Sequence, residues 1–203
     1  MIIRMPVAYC MLCSSIIYSM VYGESLNMIV SRAVQGSSGF TLLALSFFIL
    51  AGNIMNRGGV TDRIFNFCKK TIGWIPGGLG HANVLASVVF AGMSGSAVAD
   101  AGGLGAIEIK AMKDNGYDEE FAVAITGASS CIGPIIPPTI SGVVYCVASG
   151  VSVGKMFIAG ILPGCCLAFV QMIYVYIVAK KRDYPRTPFG GFRDLSRSFV
   201  TSF

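Results

Sequence analysis

The fold is decided by a proline-rich interruption in the longest uncharged run of the chain, Gly133-Pro134-Ile135-Ile136-Pro137-Pro138-Thr139. This run covers residues 121–154, and its 34 residues exceed the roughly 20 that one membrane-spanning helix needs. Proline lacks an N–H group and its ring clashes with the preceding turn, so three prolines within five positions cannot belong to a regular helix. The sequence therefore predicts a helix that is broken at residues 133–139.

Hydroxyl groups surround this break. Thr126, Ser129 and Ser130 precede it, and Thr139 and Ser141 lie at its end. Such side chains can satisfy the backbone groups that a broken helix leaves without partners, and they can also bind a solute. Both interpretations are open at the level of the sequence.

The composition indicates the medium in which this chain folds. Of its 203 residues, 54% are hydrophobic and only 12% are charged, whereas soluble domains are about a quarter charged. Five stretches lack Asp, Glu, Lys and Arg and are long enough to cross a bilayer: residues 5–23, 33–56, 71–99, 121–154 and 156–179. We therefore predict an all-α integral membrane protein, which excludes a soluble enzyme, a nucleic-acid binder and a disulfide-stapled secreted domain.

The distribution of positive charge predicts how these stretches cross the membrane. If all five of them span it, nine of the 15 Lys and Arg residues lie outside and six lie inside. If residues 71–99 enter and return on the same side, 13 lie inside, and only Arg32 and Lys155 lie outside. Because Lys and Arg favour the cytoplasmic side, the second arrangement is preferred.

Residues 79–113 have the pattern of a re-entrant helical hairpin. A helix over residues 79–93 is followed by a break at Ser94-Gly95-Ser96 and by a second helix over residues 97–113. The first helix reaches about 22 Å, which is short of the roughly 30 Å hydrocarbon core, so the tip is expected to end inside the membrane. Backbone at that depth is tolerated only within protein or beside a water-filled cavity, which points to a transport site.

The ionisable residues of the hairpin have different expected roles. Asp100 is predicted to balance a bound Na+, to cap its own helix or to bond a neighbouring chain. His81 is expected where the hairpin enters the membrane, where an interfacial or packing role is favoured over a proton relay. Glu108 and Lys110 are expected to face solvent near the cytoplasmic surface.

The two interruptions together suggest a binding site. The C-terminus of a half-helix presents carbonyl groups to a cation, and the N-terminus of a half-helix presents amides to an anion. Secondary transporters build their ion and substrate sites in this way. We therefore predict a solute site where the hairpin tip and the broken helix come together.

The sequence divides into five predicted regions, and one of them, the second, has two possible interpretations. The second region alternates cations with Phe, Ile and Trp, which is typical of an amphipathic helix at a membrane surface, although a simple cytoplasmic loop is also compatible. The first three regions are scaffold-type transmembrane helices (1–56), an amphipathic interfacial arm helix (57–76) and a transport-type region (77–154). The transport-type region contains the hairpin at about 79–113 and the broken helix at about 120–151. A transmembrane helix (155–180) and a basic cytoplasmic tail (181–203) follow.

Motifs for enzymatic chemistry are missing from the sequence. There is no Gly-x-Ser-x-Gly nucleophile elbow and no Gly-Lys-Ser or Gly-Lys-Thr phosphate loop. Cys10 and Cys13 have the spacing of a redox motif, but they lie in an apolar run without the strand and turn that such a motif requires. We expect neither an enzyme nor a bound cofactor.

Two long motifs carry a resemblance to a known family. The first is FAGMSGSAVAD at residues 90–100, and the second is ASS at residues 128–130 followed by IGPIIPP at residues 132–138. Shorter matches are FILAG (48–52), MNRGG (55–59), GGL (77–79) with His81, VSVG (151–154), FIAG (157–160) and PG (163–164). Over residues 6–176 the chain resembles the large membrane subunit of tripartite ATP-independent periplasmic (TRAP) transporters.

The resemblance implies a Na+-driven importer of small organic acids, such as C4-dicarboxylates, that works as an elevator-type symporter. It implies a multi-pass protein of the bacterial inner membrane and an all-α fold with one inverted repeat of an elevator-type ion transporter. The implied partners are a periplasmic solute-binding protein, a small four-helix TRAP membrane subunit and a complementary C-terminal half of the large subunit.

The matching motifs also imply binding residues at the hairpin tip and at the break. The residues implied to bind the ion and the substrate are Ser94, Gly95, Ser96, Asp100, Ser129, Ser130, Gly133, Pro134, Pro137, Pro138 and Thr139. Among them, the candidates for a Na+ site are Ser94, Ser96, Ser130 and Gly133. Cys131 and Thr139 stand where the family usually has Thr and Ser, and Ser141-Gly142 stands where Pro-Met is common.

Length is the larger departure from the family pattern. Large TRAP subunits are about twice this long and contain a second inverted repeat, with its own hairpin and broken helix. The chain is therefore expected to be an N-terminal portion of such a subunit that transports nothing by itself. The alternatives are a truncated membrane scaffold that does not transport and a member of another ion-coupled carboxylate transporter family.

Overall fold

The computed structural model describes residues 6–23, 25–37, 46–47, 49–52, 54 and 58–186. Within these residues there are nine labelled helices and no strand, and further helical residues occur between positions 46 and 54. The chain is mostly helical, as the composition predicted. Most of the predicted span over residues 33–56, and the tail beyond residue 186, lie outside the described residues.

The chain divides into two compact units, residues 1–44 and residues 45–203. The first unit contains α1 (Val7–Tyr22) and α2 (Leu26–Ser37), which pack against each other. Gly23 ends α1 with a φ of 71°, a left-handed conformation that glycine adopts without strain. Arg32, expected in a loop between two spans, lies within α2.

In the second unit, α3 (Val60–Ile72) is an amphipathic helix. Ile64, Phe65 and Cys68 lie on its buried side. Asp62 lies in its first turn and Lys69 and Lys70 lie in its last turn, an arrangement that complements the helix dipole. Residues 60–72 are thus a helix that packs one face on the protein.

A helical hairpin follows α3. Its first arm is α4 (Gly78–Ser94), and its second arm consists of α5 (Ala97–Gly103) and α6 (Gly105–Asp114). The second arm was expected to be one helix over residues 97–113, but it is divided at Leu104. Glycines at 102, 103 and 105 weaken the helix on both sides of this residue.

The proline-rich segment separates two further helices. They are α7 (Glu119–Ser130) and α8 (Ile140–Ser149), and residues 131–139 between them are not helical. The last labelled helix, α9 (Val153–Arg182), has 30 residues and continues through Pro163. In the described part of the chain it is the one helix that is both long and apolar enough to cross a membrane, while residues 8–22, α4 and α8 form shorter apolar helices.

The core of the second unit lies between α3, α4, α6, α7 and α9. Its fully buried side chains include Ile64, Phe90, Leu104, Met112 and Val175. The outer side of α9 is apolar yet exposed, with Ile158, Leu162, Phe169, Val170 and Ile173 among the uncovered residues. An exposed apolar surface of this extent is typical of contact with lipid or with another protein.

Candidate functional site

The hairpin tip packs directly on the break in the second element. A Cβ atom placed on Gly95, at the tip, would lie 2.8 Å from the Pro138 carbonyl oxygen and 3.0 Å from Thr139 Cα. A Cβ atom placed on Gly133, in the break, would lie 3.3 Å from the carbonyl carbon of Ser96. Glycine is the residue that allows two backbones to approach this closely. The two interruptions are therefore in direct contact.

Four helix ends lie at this contact. Helices α4 and α7 end there, at Ser94 and Ser130, and helices α5 and α8 begin there, at Ala97 and Ile140. Helix C-termini carry carbonyl groups without helical partners, and helix N-termini carry free N–H groups. The site can therefore offer oxygens to a cation and amides to an anion within a small volume.

Both helices that start at the site are capped by a hydroxyl group. Ser96 Oγ accepts a hydrogen bond from the Ala99 N–H at 3.4 Å, and Thr139 Oγ1 accepts one from the Gly142 N–H at 2.8 Å. Serine and threonine are favoured at this position because their oxygens satisfy one of the free donors of the first turn. The caps fix the starting points of α5 and α8 on either side of the contact.

The predicted site residues separate into two groups. Ser94, Gly95, Ser96, Gly133, Pro138 and Thr139 lie at the contact itself. The Ser129 and Ser130 side chains instead turn into the protein, where both hydroxyls donate to the Thr126 carbonyl oxygen, at 3.0 Å and 2.7 Å. The Ser130 hydrogen is thus used inside α7, whereas the Ser129 hydrogen is shared between the Thr126 carbonyl oxygen and Asn83 Oδ1. Both hydroxyl oxygens keep further accepting capacity.

Pro134 and Pro137 border a cavity of about 470 Å³ between the break, α8 and α9. Tyr145 and Phe157 also line this cavity. Thr139 belongs both to this lining and to the contact with the hairpin tip, so the cavity adjoins that contact.

Asn83 is a site residue that the sequence analysis missed. It is completely buried on α4, its Nδ2 donates to Thr126 Oγ1 at 2.7 Å, and its Oδ1 accepts from Ser129 Oγ at 2.7 Å. These bonds join the first arm of the hairpin to the last turns of α7. The only feature of the sequence that marks Asn83 is its amide side chain inside an uncharged, apolar run.

Asp100 lies one turn into α5 and is 1% exposed. Neither of its carboxylate oxygens accepts a hydrogen bond, although the hydroxyl groups of Ser87 and Ser130 lie near them. The prediction that Asp100 caps its own helix is therefore wrong, because Ser96 provides that cap. An ionised carboxylate at this position would balance a cation at the neighbouring tip.

The expected position of Glu108 is also wrong. This residue was expected to face solvent beside Lys110, but it is 1% exposed, whereas Lys110 is exposed. Leu104, Glu108 and Met112 follow one another at four-residue intervals, so they share one face of the second arm, and that face is turned into the core. The predicted packing role of His81 agrees with its burial on α4.

In the described part of the chain, no three His, Cys, Asp or Glu side chains are grouped in a way that could hold a metal ion. A cation at the contact would instead be held by carbonyl and hydroxyl oxygens from the ends of α4 and α7, with Asp100 balancing its charge. Oxygen ligands of this kind suit Na+ in transporters. The residues present at the contact are thus compatible with this ion.

A second cluster ties the end of α9 to the loop before α7. Tyr184 Oη donates to Asp118 Oδ2 at 2.6 Å, and Arg182 forms an ion pair with the same oxygen. The hydrogen bond from Tyr184, and then that from Arg182, lowers the pKa of the Asp118 carboxyl. Tyr117 packs on Tyr184 and accepts a hydrogen bond from the Leu79 N–H at 3.3 Å, and burial raises the pKa of Tyr117 to about 12. The start of the hairpin and the end of α9 are therefore joined.

The sequence matches a described family along its whole length. The family described as "Tripartite ATP-independent periplasmic transporter, DctM component" matches residues 1–203. A sialic acid TRAP transporter permease protein of Haemophilus influenzae, SiaT, is 47% identical over 204 residues, which are 100% of this chain and 33% of the relative.

Two relatives from Vibrio cholerae are also similar. The sialic acid TRAP transporter large permease protein SiaM is 43% identical over 202 residues, covering 98% of this chain and 47% of the relative. The C4-dicarboxylate TRAP transporter large permease protein DctM is 39% identical over 196 residues, covering 96% of this chain and 43% of the relative. The chain thus spans less than half the length of each of these proteins.

Proposed function

This chain belongs to the DctM component family of tripartite ATP-independent periplasmic transporters, and we propose that it forms part of the large membrane subunit of a Na+-coupled importer of small organic acids. The observation that carries this proposal is the contact between Gly95 and the Pro138–Thr139 backbone. That contact brings four helix ends to one place, which is the arrangement that ion-coupled transporters use for their sites.

The proposed arrangement in the membrane is re-entrant. The 17 residues of α4 reach about 25 Å, which is less than the roughly 30 Å hydrocarbon core. The hairpin tip and the break then lie inside the bacterial inner membrane, sheltered by α7, α8 and α9. The interfacial arm helix, α3, lies on the cytoplasmic surface, and the hairpin unit moves against scaffold helices in an elevator-type motion.

Na+ is proposed to bind on the side of the contact formed by helix C-termini. Its oxygen ligands come from the backbone and hydroxyl groups of Ser94, Ser96, Ser130 and Gly133. The buried carboxylate of Asp100, which has no cationic partner among the described residues, balances the charge of the ion. A bound cation in turn strengthens the attraction of the site for an anionic substrate.

The substrate is proposed to be a carboxylate that binds at the free amides of α5 and α8. Sialic acid and C4-dicarboxylates, named for the relatives, are both acids. The substrate is delivered by a periplasmic solute-binding protein. Transport also requires a small four-helix membrane subunit and a complementary half of the large subunit, because this chain spans 33% to 47% of the length of the relatives.

The proposal is tested by uptake into liposomes. A complete permease that contains this chain is reconstituted with its small subunit, and uptake of radiolabelled sialic acid and succinate is measured with binding protein, with and without an inward Na+ gradient. We expect Na+-dependent uptake of one acid. The chain of 203 residues alone serves as the control that takes up neither. Uptake of both acids at the same rate without Na+ would contradict the proposal.

A further inference from the structure

Glu108 is a buried carboxyl group that the proposed transport site does not use. It is 1% exposed, and its neighbours at four-residue intervals on the same face, Leu104 and Met112, are both 0% exposed. The Asp100 position lies two turns before it, about 12 Å along the helix axis, with Leu104 between them. Glu108 is therefore placed in the core and not at the contact between the tip and the break.

Nothing in the described part of the chain compensates an ionised Glu108. Its Oε1 accepts no hydrogen bond, and the two ion pairs there join other residues, Lys113 with Glu119 and Arg182 with Asp118. An ionised carboxylate that is buried without a counter-charge is strongly disfavoured, whereas a neutral carboxylic acid is far less so. The environment of Glu108 therefore favours the form that carries a proton.

The titratable groups around Glu108 do not supply a positive charge. Cys68 on α3 and Asp100 on α5 face it, and both become negative when they ionise. On α4, the titratable side chain is His81, which interacts with the Pro76 backbone. On α3, Asp62, Arg63 and Lys70 are exposed and Lys69 is half-buried. The remaining titratable residues on α6 and in the first turn of α7 are exposed, namely Lys110, Lys113, Asp114, Glu119 and Glu120.

The two buried carboxyl groups of the hairpin have different surroundings. Asp100 has the hydroxyl groups of Ser87 and Ser130 nearby, and Ser87 Oγ itself has no hydrogen-bond partner. Glu108 has apolar neighbours instead. When two carboxyl groups interact and only one has donors beside it, the proton resides on the other. Asp100 therefore has a hydroxyl donor beside it that can stabilise its ionised form, and Glu108 has none.

We propose that Glu108 is a proton-binding site of the hairpin, occupied at neutral pH while α6 is packed in the core against α4 and α7. Binding forms an O–H bond between the Glu108 carboxylate and a proton taken from water. Release breaks that bond and returns the proton to water, leaving a carboxylate that cannot stay in the core. Proton occupancy thus controls the packing of the second arm, independently of whether Na+ drives transport.

Infrared spectroscopy of the purified full chain in detergent tests this directly. We expect a carbonyl stretching band of a protonated carboxylic acid at neutral pH that Glu108→Gln removes. The matched control Glu120→Gln, which changes an exposed glutamate, is expected to keep it. Absence of the band from the unaltered protein, or its loss in Asp100→Asn with retention in Glu108→Gln, overturns the proposal.

The pH dependence of thermal unfolding gives an independent readout. The folded state holds a proton that a glutamate in the unfolded chain has lost above about pH 5, so Tm is expected to fall as the pH rises from about 5 to about 8. Glu108→Gln is expected to remove this part of the dependence of Tm on pH, while Glu120→Gln is expected to keep it. Equal slopes in all three proteins overturn the proposal. So does a rise of Tm on addition of NaCl that Glu108→Gln abolishes without any protonated band, because the site would then hold Na+.

Discussion

Gly95 lies so close to Pro138 that a Cβ atom on Gly95 would be 2.8 Å from the Pro138 carbonyl oxygen. The two residues are 43 positions apart and belong to different interrupted elements, one to the hairpin tip and the other to the break between α7 and α8. Gly95 also has a φ of 57°, in the left-handed region. Its small size and its backbone conformation are thus both required by the same contact.

Replacement of Gly95 by alanine is predicted to open this contact. Gly95→Ala combines left-handed strain with a backbone clash, and we expect a loss of more than about 2 kcal/mol in the free energy of unfolding. Gly92→Ala is the matched control, because Gly92 lies in the same helix with open space around it, and it is expected to stabilise by about 0.5 kcal/mol. Thermal unfolding in detergent measures both. Equal stability of the two variants would contradict the described contact.

Loss of the Asn83 side chain is predicted to separate the hairpin from α7. Asn83→Ala leaves Thr126 and Ser129 buried with fewer partners, which is expected to cost about 2 kcal/mol. Ser149→Ala, whose exposed hydroxyl bonds only the Tyr145 carbonyl, is expected to change stability by less than about 0.5 kcal/mol. Chemical or thermal unfolding of the two variants distinguishes them. A larger loss in Ser149→Ala than in Asn83→Ala would refute the assignment of the network.

The Ser96 cap is predicted to affect both stability and ion dependence. Ser96→Ala removes the hydroxyl that accepts from the Ala99 N–H and is expected to cost about 1 kcal/mol. In the complete permease it is expected to raise the Na+ concentration that gives half-maximal uptake. Ser149→Ala serves as control, since its hydroxyl is exposed and bonds only the Tyr145 carbonyl. If Ser96→Ala left the Na+ dependence of uptake unchanged, the prediction that this hydroxyl contributes to ion binding would be contradicted.

The cluster at Asp118 is predicted to stabilise the fold except in acid. The lowered pKa of Asp118 means that its contacts stabilise above the unfolded value of about 3.9 and are lost as the pH falls through the folded pKa. Tyr184→Phe removes the larger cause of the shift, so the decrease of Tm between about pH 5 and about pH 3 should become smaller. The effect is expected to be small because the ion pair is exposed.

Tyr174→Phe provides the matched control for this measurement. Tyr174 lies exposed on α9, away from Asp118. Its pH profile should follow that of the unaltered protein. A Tyr184→Phe profile with the same acid sensitivity would show that the hydrogen bond to Asp118 does not contribute.

Those parts of the fold that depend on local chemistry could be predicted from the sequence. Three prolines between residues 134 and 138 prevent a helix wherever they occur, and Ser94-Gly95-Ser96 lacks strong helix formers, so both interruptions were visible in the sequence. The resemblance over the two long motifs then indicated the family, and the match over residues 1–203 confirmed it.

The missed features depend on which face of a helix is turned inward. Glu108 and Lys110 are two positions apart and both charged, and only the packing of α6 determines that one is buried and the other exposed. Asn83 had no recognisable partner in the sequence because Thr126 and Ser129 follow it by more than 40 residues. Tertiary contacts between such distant positions cannot be inferred from periodicity in a single chain.

The central claim, that the hairpin tip and the break form one Na+ site, is tested most directly by protection of position 97, the half-buried alanine that begins α5 at the contact. Ala97→Cys in the reconstituted complete permease is treated with a membrane-impermeant maleimide, and labelling at that position is followed by mass spectrometry with and without Na+. Ser149→Cys, on the exposed side of α8, is the control. We predict that Na+ slows labelling at position 97 and leaves position 149 unaffected. Labelling at position 97 that proceeds at the same rate with and without Na+ would contradict the account.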